Sequence, residues 1–211
     1  MSMITYCTGP TFGNVWNAPL EPFLDGIKTG KWAKEIRKLR AMPRNKGASD
    51  SPEEIAFSKL KNKLPCVMLS CTTNGGRKAS DVVQHSGLLQ LDIDGVGADE
   101  AVRLRDVIGH DRHILAAWLS PSLTGAKGIM RIPADIARHK ESFQAAAAHM
   151  LKSYGVEIDK ACSNVNRLCF VSHDPDMVSN PDAVPLEAEP APVEQGNDKQ
   201  LPKEGREERF N

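Results

Sequence analysis

Short apolar runs alternate along this chain with stretches whose apolar residues recur at helical spacing. The runs at 66–70, 87–93, 114–119, 127–132 and 167–171 predict strands. Between them, Val102, Leu104 and Ile108 mark a helix over 98–108, and the alanine-rich stretch 135–154 marks a longer one. Upstream, Ser51 suits an N-cap, Pro52 a first turn, and Glu53 and Glu54 the positive helix end, so 52–63 is predicted helical until Pro65 stops it. Leu24, Ile27, Ile36 and Leu39 give the region before it an apolar face at helical spacing. Strands mixed with helices, including a hairpin over 114–132, predict an α+β fold in which helices cover a sheet. From Asn180 the chain turns to Pro, Glu, Asp and Lys with little to bury, the pattern of a disordered tail or linker. The division is a segment 1–20, one domain over 21–185, and a tail over 186–211.

Length supports that division, since 211 residues exceed the usual domain size without demanding a second core. No apolar run approaches the roughly 18 residues of a membrane span, and no basic stretch leads into a hydrophobic one at the N-terminus. A cytoplasmic chain with no membrane partner is expected. Five cysteines, Cys7, Cys66, Cys71, Cys162 and Cys169, are an odd number without paired C-x-x-C spacing, which suits neither a disulfide framework nor a zinc ribbon. Buried thiols are expected. Formal net charge is zero, yet Lys28, Lys31, Lys34, Arg37, Lys38, Arg40, Arg44 and Lys46 crowd one segment with Glu35 as its only acid. That segment is either the solvated side of a surface helix or, through Lys34, Arg37, Lys38 and Arg44, a contact for a nucleic-acid backbone.

Candidate chemistry begins at Leu88-Leu-Gln-Leu-Asp-Ile-Asp-Gly95. Side chains alternate along a strand, so Asp92 and Asp94 share a face, where two carboxylates repel unless something neutralises them. A magnesium or manganese ion is one solution, and a strand running into an Asx turn is the plainer alternative. On the metal reading, removing either acid relieves repulsion and costs no stability. The segment from Ser120 to Gly128 places hydroxyls, glycines and Lys127 between two strands, which suits phosphate binding or a simple hairpin connection. Farther on, Asp159 adds a third carboxylate, and Arg167 to Asp176 add an arginine, His173 and further acids. Asp159 alternatively caps the turn after it, and His173 alternatively bonds to backbone.

Taken in order, these segments resemble the archaeo-eukaryotic primase superfamily, and within it the N-terminal primase-polymerase-like domain of virulence-associated E proteins. The family pattern is a strand ending Asp-x-Asp, a Ser-Pro-Ser-Gly-x-Gly-x-Lys/His hairpin, then a late Asp before Arg-Leu-x-Phe-x-Ser-x-Asp-Pro. This chain has Asp92 and Asp94, Ser120 to Ser122 with Gly125 and Lys127, Asp159, and Arg167 to Pro175. Lys63 to Pro65, His85 to Leu88 and Asn180 to Ala183 extend the likeness over most of residues 20–185. It departs at Leu123, where the family has glycine, and at Lys127, where many primases have histidine.

The resemblance implies an α+β primase-polymerase fold, with a mixed or antiparallel sheet forming an RRM-like core flanked by helices. It also implies nucleotidyl transfer from nucleoside triphosphates on a single-stranded DNA template, in replication of a phage or mobile element, with a helicase as a possible partner. Asp92, Asp94 and Asp159 would hold two magnesium or manganese ions, while Ser120, Ser122, Lys127, Arg167 and His173 would face the nucleotide. Two alternatives stand beside it. A hydrophobic run ending Asp-x-Asp-Gly also resembles the nucleophile loop of haloacid-dehalogenase-type phosphatases, and a degenerate primase fold would bind nucleic acid in replication initiation without catalysis.

Overall fold

The computed structural model describes residues 2–11, 13–45 and 47–188; Lys46 of the basic segment and 189–211 of the expected tail lie outside the described residues. The fold is α+β, with antiparallel sheets and five α-helices among those residues. Two sheets position the site. One holds β1 (Met3–Cys7), β2 (Val15–Pro19), β3 (Cys66–Met68) and β9 (Leu168–Phe170) in the order β2-β1-β3-β9. The other holds β6 (Leu88–Asp94), β7 (Ile114–Leu119), β8 (Gly125–Arg131) and β10 (Val178–Ser179) in the order β10-β7-β8-β6. A small hairpin of β4 (Cys71–Thr73) and β5 (Val82–His85) accompanies them.

Strand alternation divides the interior in two. Leu89, Leu91 and Ile93 of β6 meet Leu104 and Ile108 of α4 (Ala98–Gly109) and Phe143, Ala146 and Met150 of α5 (His139–Tyr154). The opposite face, with Leu88, Ala116, Trp118 and Ile129, packs against Ile4 of β1, Phe23 and Ile27 of α1 (Glu21–Thr29), and Ile36 and Leu39 of α2 (Ala33–Arg40). A register shift between Ile114 and Ala116 changes the phase of β7, so that Leu115 and Ala116 both reach this second core. Along the chain, β6, α4, β7, β8 and α5 form a β-α-β-β-α unit, and the Asp159 amide then donates to the Asp92 carbonyl (2.8 Å) on the edge of β6 away from β8.

The strands and helices expected downstream of residue 50 are present within a few residues. The Ser51 hydroxyl accepts from the Glu54 amide (3.3 Å) to start α3 (Pro52–Lys61). The alanine-rich helix starts at His139 rather than 135, because the Asp135 carboxylate accepts from the Ala137 amide (2.8 Å) in an Asx turn. Upstream, the apolar face at 24–39 belongs to two helices rather than one. Gly30, at φ 86°, closes α1 in the left-handed region, and the chain turns before α2. The segment 1–20 carries β1 and β2, which sequence pattern missed because both are short and the burial of β2 does not alternate.

The tail begins later than Asn180. Amides of Asn180, Val184 and Leu186 donate to carbonyls of Leu115 (2.9 Å), Arg112 (2.9 Å) and Arg131 (2.8 Å), so backbone pairing holds a stretch whose side chains bury little. All five cysteines are buried free thiols. No helix among the described residues is long and apolar enough to cross a membrane.

Candidate functional site

The β6–β8 register sets Asp92 opposite Lys127, and the two form a buried ion pair on the sheet face that looks toward the second sheet. Burial alone would push the Lys127 ammonium down, but Asp92, with Asp94 adding to it, holds its pKa above the usual lysine value. The second Asp92 oxygen, Oδ1, is buried without a hydrogen-bond partner among the described residues, as are both amide atoms of Gln90 two residues earlier on the same face. The expectation that Asp92 is a source of repulsion, removable without cost, is therefore corrected. A lysine from the facing strand already neutralises it, and deleting one member of a buried pair strands the other.

Asp159 joins the cluster through its backbone bond to Asp92. Its carboxylate accepts from the Ala161 amide (2.9 Å), capping the short 3-10 turn Lys160–Ser163, and from the Arg167 guanidinium (2.8 Å). The capping reading of Asp159 is thus borne out, and the same carboxylate also pairs with Arg167. Arg167 Nε is buried without a partner. Asp94 is exposed at the end of β6 opposite Gly125, where any β-carbon would run into the Ile93 carbonyl oxygen and lie 3.0 Å from Asp94 Oδ1. Close approach of β8 to this acid therefore requires glycine.

Sequence reasoning missed Lys61, which fell inside the predicted helix 52–63 and drew no separate notice. It lies at the end of α3, over the Phe170 ring (5.3 Å), and burial lowers its pKa, assisted by Lys127 and opposed by Asp94 and Asp92. Asp92, Asp94 and Asp159 are thus balanced by Lys61, Lys127 and Arg167. Among the described residues, no three His, Cys, Asp or Glu side chains stand close enough to hold a metal ion.

At the same end of the sheet lies the β7–β8 hairpin. Ser120, Ser122 and Thr124 hydroxyls form a chain with 3.2 Å steps, and the Val96 amide donates to the Thr124 carbonyl (3.1 Å) just beyond Asp94. Leu123 has φ 62°, the one positive value at a non-glycine position among the described residues. The loop therefore keeps the backbone shape that glycine would give it.

Arg40 donates to the carbonyls of Ser120 (3.2 Å), Pro121 (3.2 Å) and His173 (3.0 Å), fastening α2 to this hairpin. His173 turns toward α1, with Nδ1 3.3 Å from the Ile27 carbonyl oxygen, and is not among the charged groups around Asp92. Asp174 is also drawn inward: Arg105 donates to it (3.0 and 3.3 Å), and so does the Leu119 amide (2.9 Å). In the basic segment, Lys34, Arg37 and Lys38 are exposed on α2. Arg44 instead pairs with Glu54 through two bonds (2.7 and 3.0 Å) and lies 3.6 Å from the Phe57 ring centre.

In comparison with known proteins, the family model described as "BT4734-like, N-terminal domain" matches residues 59–178, a span that contains all six charged residues of the cluster. No curated protein and no solved structure matches the chain.

Proposed function

This chain belongs to the BT4734-like N-terminal domain family, and from that premise we propose that it is a metal-dependent primase-polymerase, joining nucleotides on a single-stranded DNA template. The observation that carries the reading is the balanced cluster itself: Asp92, Asp94 and Asp159 interleaved with Lys61, Lys127 and Arg167 where β6 ends between the two sheets. Nucleotidyl transfer needs both signs of charge in one place, because hard oxygen ligands and phosphate-binding cations serve the same triphosphate. The β-α-β-β-α order with both helices on one face also suits an RRM-like core.

The donor type is the one magnesium and manganese take, since the acids offer only oxygen and Asp92 Oδ1 has no partner among the described residues. The three carboxylates do not stand together as a metal site in this structure, so an ion would have to draw them in. Asp92, Asp94 and Asp159 would hold the ions, which when bound favour the 3′-hydroxylate and the departing pyrophosphate. Lys127 and Arg167 contribute positive charge beside the acids, and Lys61 adds a cation whose partial burial strengthens its field. Ser122 and the left-handed backbone at Leu123 shape the hairpin over which a phosphate would lie.

The test is primer synthesis and extension on single-stranded DNA with manganese and labelled nucleotides, in wild type and in Asp94→Asn. Asp94 is exposed, so the variant should keep its stability within about 0.5 kcal/mol. Incorporation should fall by at least about a hundredfold. Normal extension by Asp94→Asn defeats the assignment. One observation favours a second reading: Asp92 is occupied by Lys127 in a buried pair, which suits a replication-initiation module that binds nucleic acid without catalysis. Template binding without incorporation supports that module. Phosphate release from small esters would instead point to the phosphatase.

A further inference from the structure

A cavity of about 300 Å³ opens beside β1, away from the charged cluster's own residues. Its walls are the Tyr6–Trp16 pair and Trp32, its floor includes Val67 and Val171, and Lys31 stands at its rim. Tyr6 and Trp16 face each other across the β1–β2 ladder, stacked with ring centres 5.5 Å apart and planes 18° from parallel. Trp16 is nevertheless 45% exposed, a large flat surface left uncovered. Trp32 is fixed from beneath, since Gly26 leaves it room where any β-carbon would lie 2.6 Å from the indole. Lys31 sits 5.4 Å from the Trp32 ring centre.

We propose that this cavity stacks a base of single-stranded nucleic acid, with Trp16 as the platform and Lys31 as the contact to its backbone phosphate. The proposal rests on the nucleic-acid part of the function put forward above. Stacking on an exposed indole beside a cation is the chemistry by which single strands are held without sequence readout. Among the described residues the lining contains one cation and no acid, which favours an anionic strand over a cationic ligand. Lys28 of α1 and Lys34 and Lys38 of α2, the helices on either side of Lys31, are exposed as well. The Tyr6 hydroxyl donates to the Pro19 carbonyl (2.7 Å), so it has no proton left with which to read a base edge.

Position agrees with use. Val171 lies two residues beyond Cys169, and Cys169 is within electrostatic reach of Lys127. At about 3.3 Å per residue Val171 lies about 7 Å along the chain from Cys169, so the cavity floor and the residue beside Lys127 belong to one short segment.

Binding of a labelled oligothymidylate to the full chain, followed by anisotropy, tests the site in wild type, Trp16→Ala, Trp16→Phe and Lys31→Gln. Melting temperatures confirm that the variants fold. Trp16→Ala should weaken binding roughly five- to hundredfold, whereas Trp16→Phe keeps most of it. Lys31→Gln should reduce the salt slope by about 0.7. Replacing oligothymidylate with oligoadenylate should preserve the Trp16 effect, and duplex DNA should show none. Wild-type affinity in Trp16→Ala overturns the site, and if that variant still incorporates nucleotides the polymerase reading stands. Equal loss toward duplex and single strand also overturns it. If the wild type incorporates nothing yet Trp16→Ala loses single-strand affinity, the site stands and the polymerase reading falls.

Discussion

Asp92 shows how far a local pattern reaches at the scale of a residue. Period-two alternation places it on one face with Asp94, but what neutralises it is set by the β6–β8 register, which brings in Lys127 from 35 positions later. The pair has a measurable consequence. In Asp92→Ala the buried Lys127 ammonium loses its main counter-charge, so unfolding free energy in chelator-treated protein should fall by about 3–5 kcal/mol. Changing Lys127→Met in the same chain should recover most of that loss, because an apolar side chain of similar length needs no partner. Denaturant titration of both single variants and the double gives the coupling directly. If Asp92→Ala is as stable as wild type, the ion pair does not carry this role. Leu123 is the complementary case. The departure from glycine was legible, but its left-handed backbone was not, because the flanking Ser120 and Gly125 pairing imposes the turn.

Elements were legible where their burial leaves a plain sequence pattern. The helices α3, α4 and α5 each turn an apolar face inward, whereas β6, β7 and β8 are buried on both faces and read as continuous apolar runs, so sequence pattern places them within a few residues. The strands β1, β2, β4, β5 and β10 escaped because they are short and their burial follows no clean alternation. The site divides in the same way. Asp92, Asp94, Lys127, Asp159 and Arg167 were found from their strands and loops, whereas Lys61 comes from the end of a separate helix and is recognisable only after packing.

The Ser172 to Asp176 segment illustrates an element whose motif residues serve the scaffold. Ser172 donates to the Leu119 carbonyl (2.6 Å) and Asp174 accepts from the Leu119 amide and from Arg105, clasping the last residue of β7 and α4 together. Asp174→Ala should leave the buried Arg105 partly unpaired and cost about 3–5 kcal/mol by urea denaturation. A loss under about 1 kcal/mol would mean that the clasp is not what holds β7.

For the whole molecule, a buried imidazole relay is a point of sensitivity to acid. The Gly87 amide donates to His85 Nδ1 (3.0 Å), which assigns the proton to Nε2 for donation to His139 Nδ1 (3.0 Å). His139 Nε2–H then donates to the Cys162 carbonyl (3.3 Å), so the relay ties β5 to α5 and to the turn that follows Asp159. Burial pushes His85 down to about 4, with His139 adding to the effect, and burial likewise lowers His139. Both rings are therefore neutral in the fold, while the unfolded chain takes up protons near pH 6.5.

Stability from these histidines is complete above about pH 6.5 and drains away as pH falls toward 4, by at most about 1.4 kcal/mol per pH unit for each ring. Asp111 contributes in a different window. Burial opposes its charge, but bonds from Tyr154, the His113 amide and His149 hold its carboxyl below the usual range, so its loss begins only in stronger acid. Unfolding free energies by urea at pH 7.5, 6, 5 and 4.5 should decline across the upper window. His85→Gln should flatten that decline, since its side chain has nothing to protonate there. Equal slopes in the variant and the wild type would remove the relay as the source of acid sensitivity.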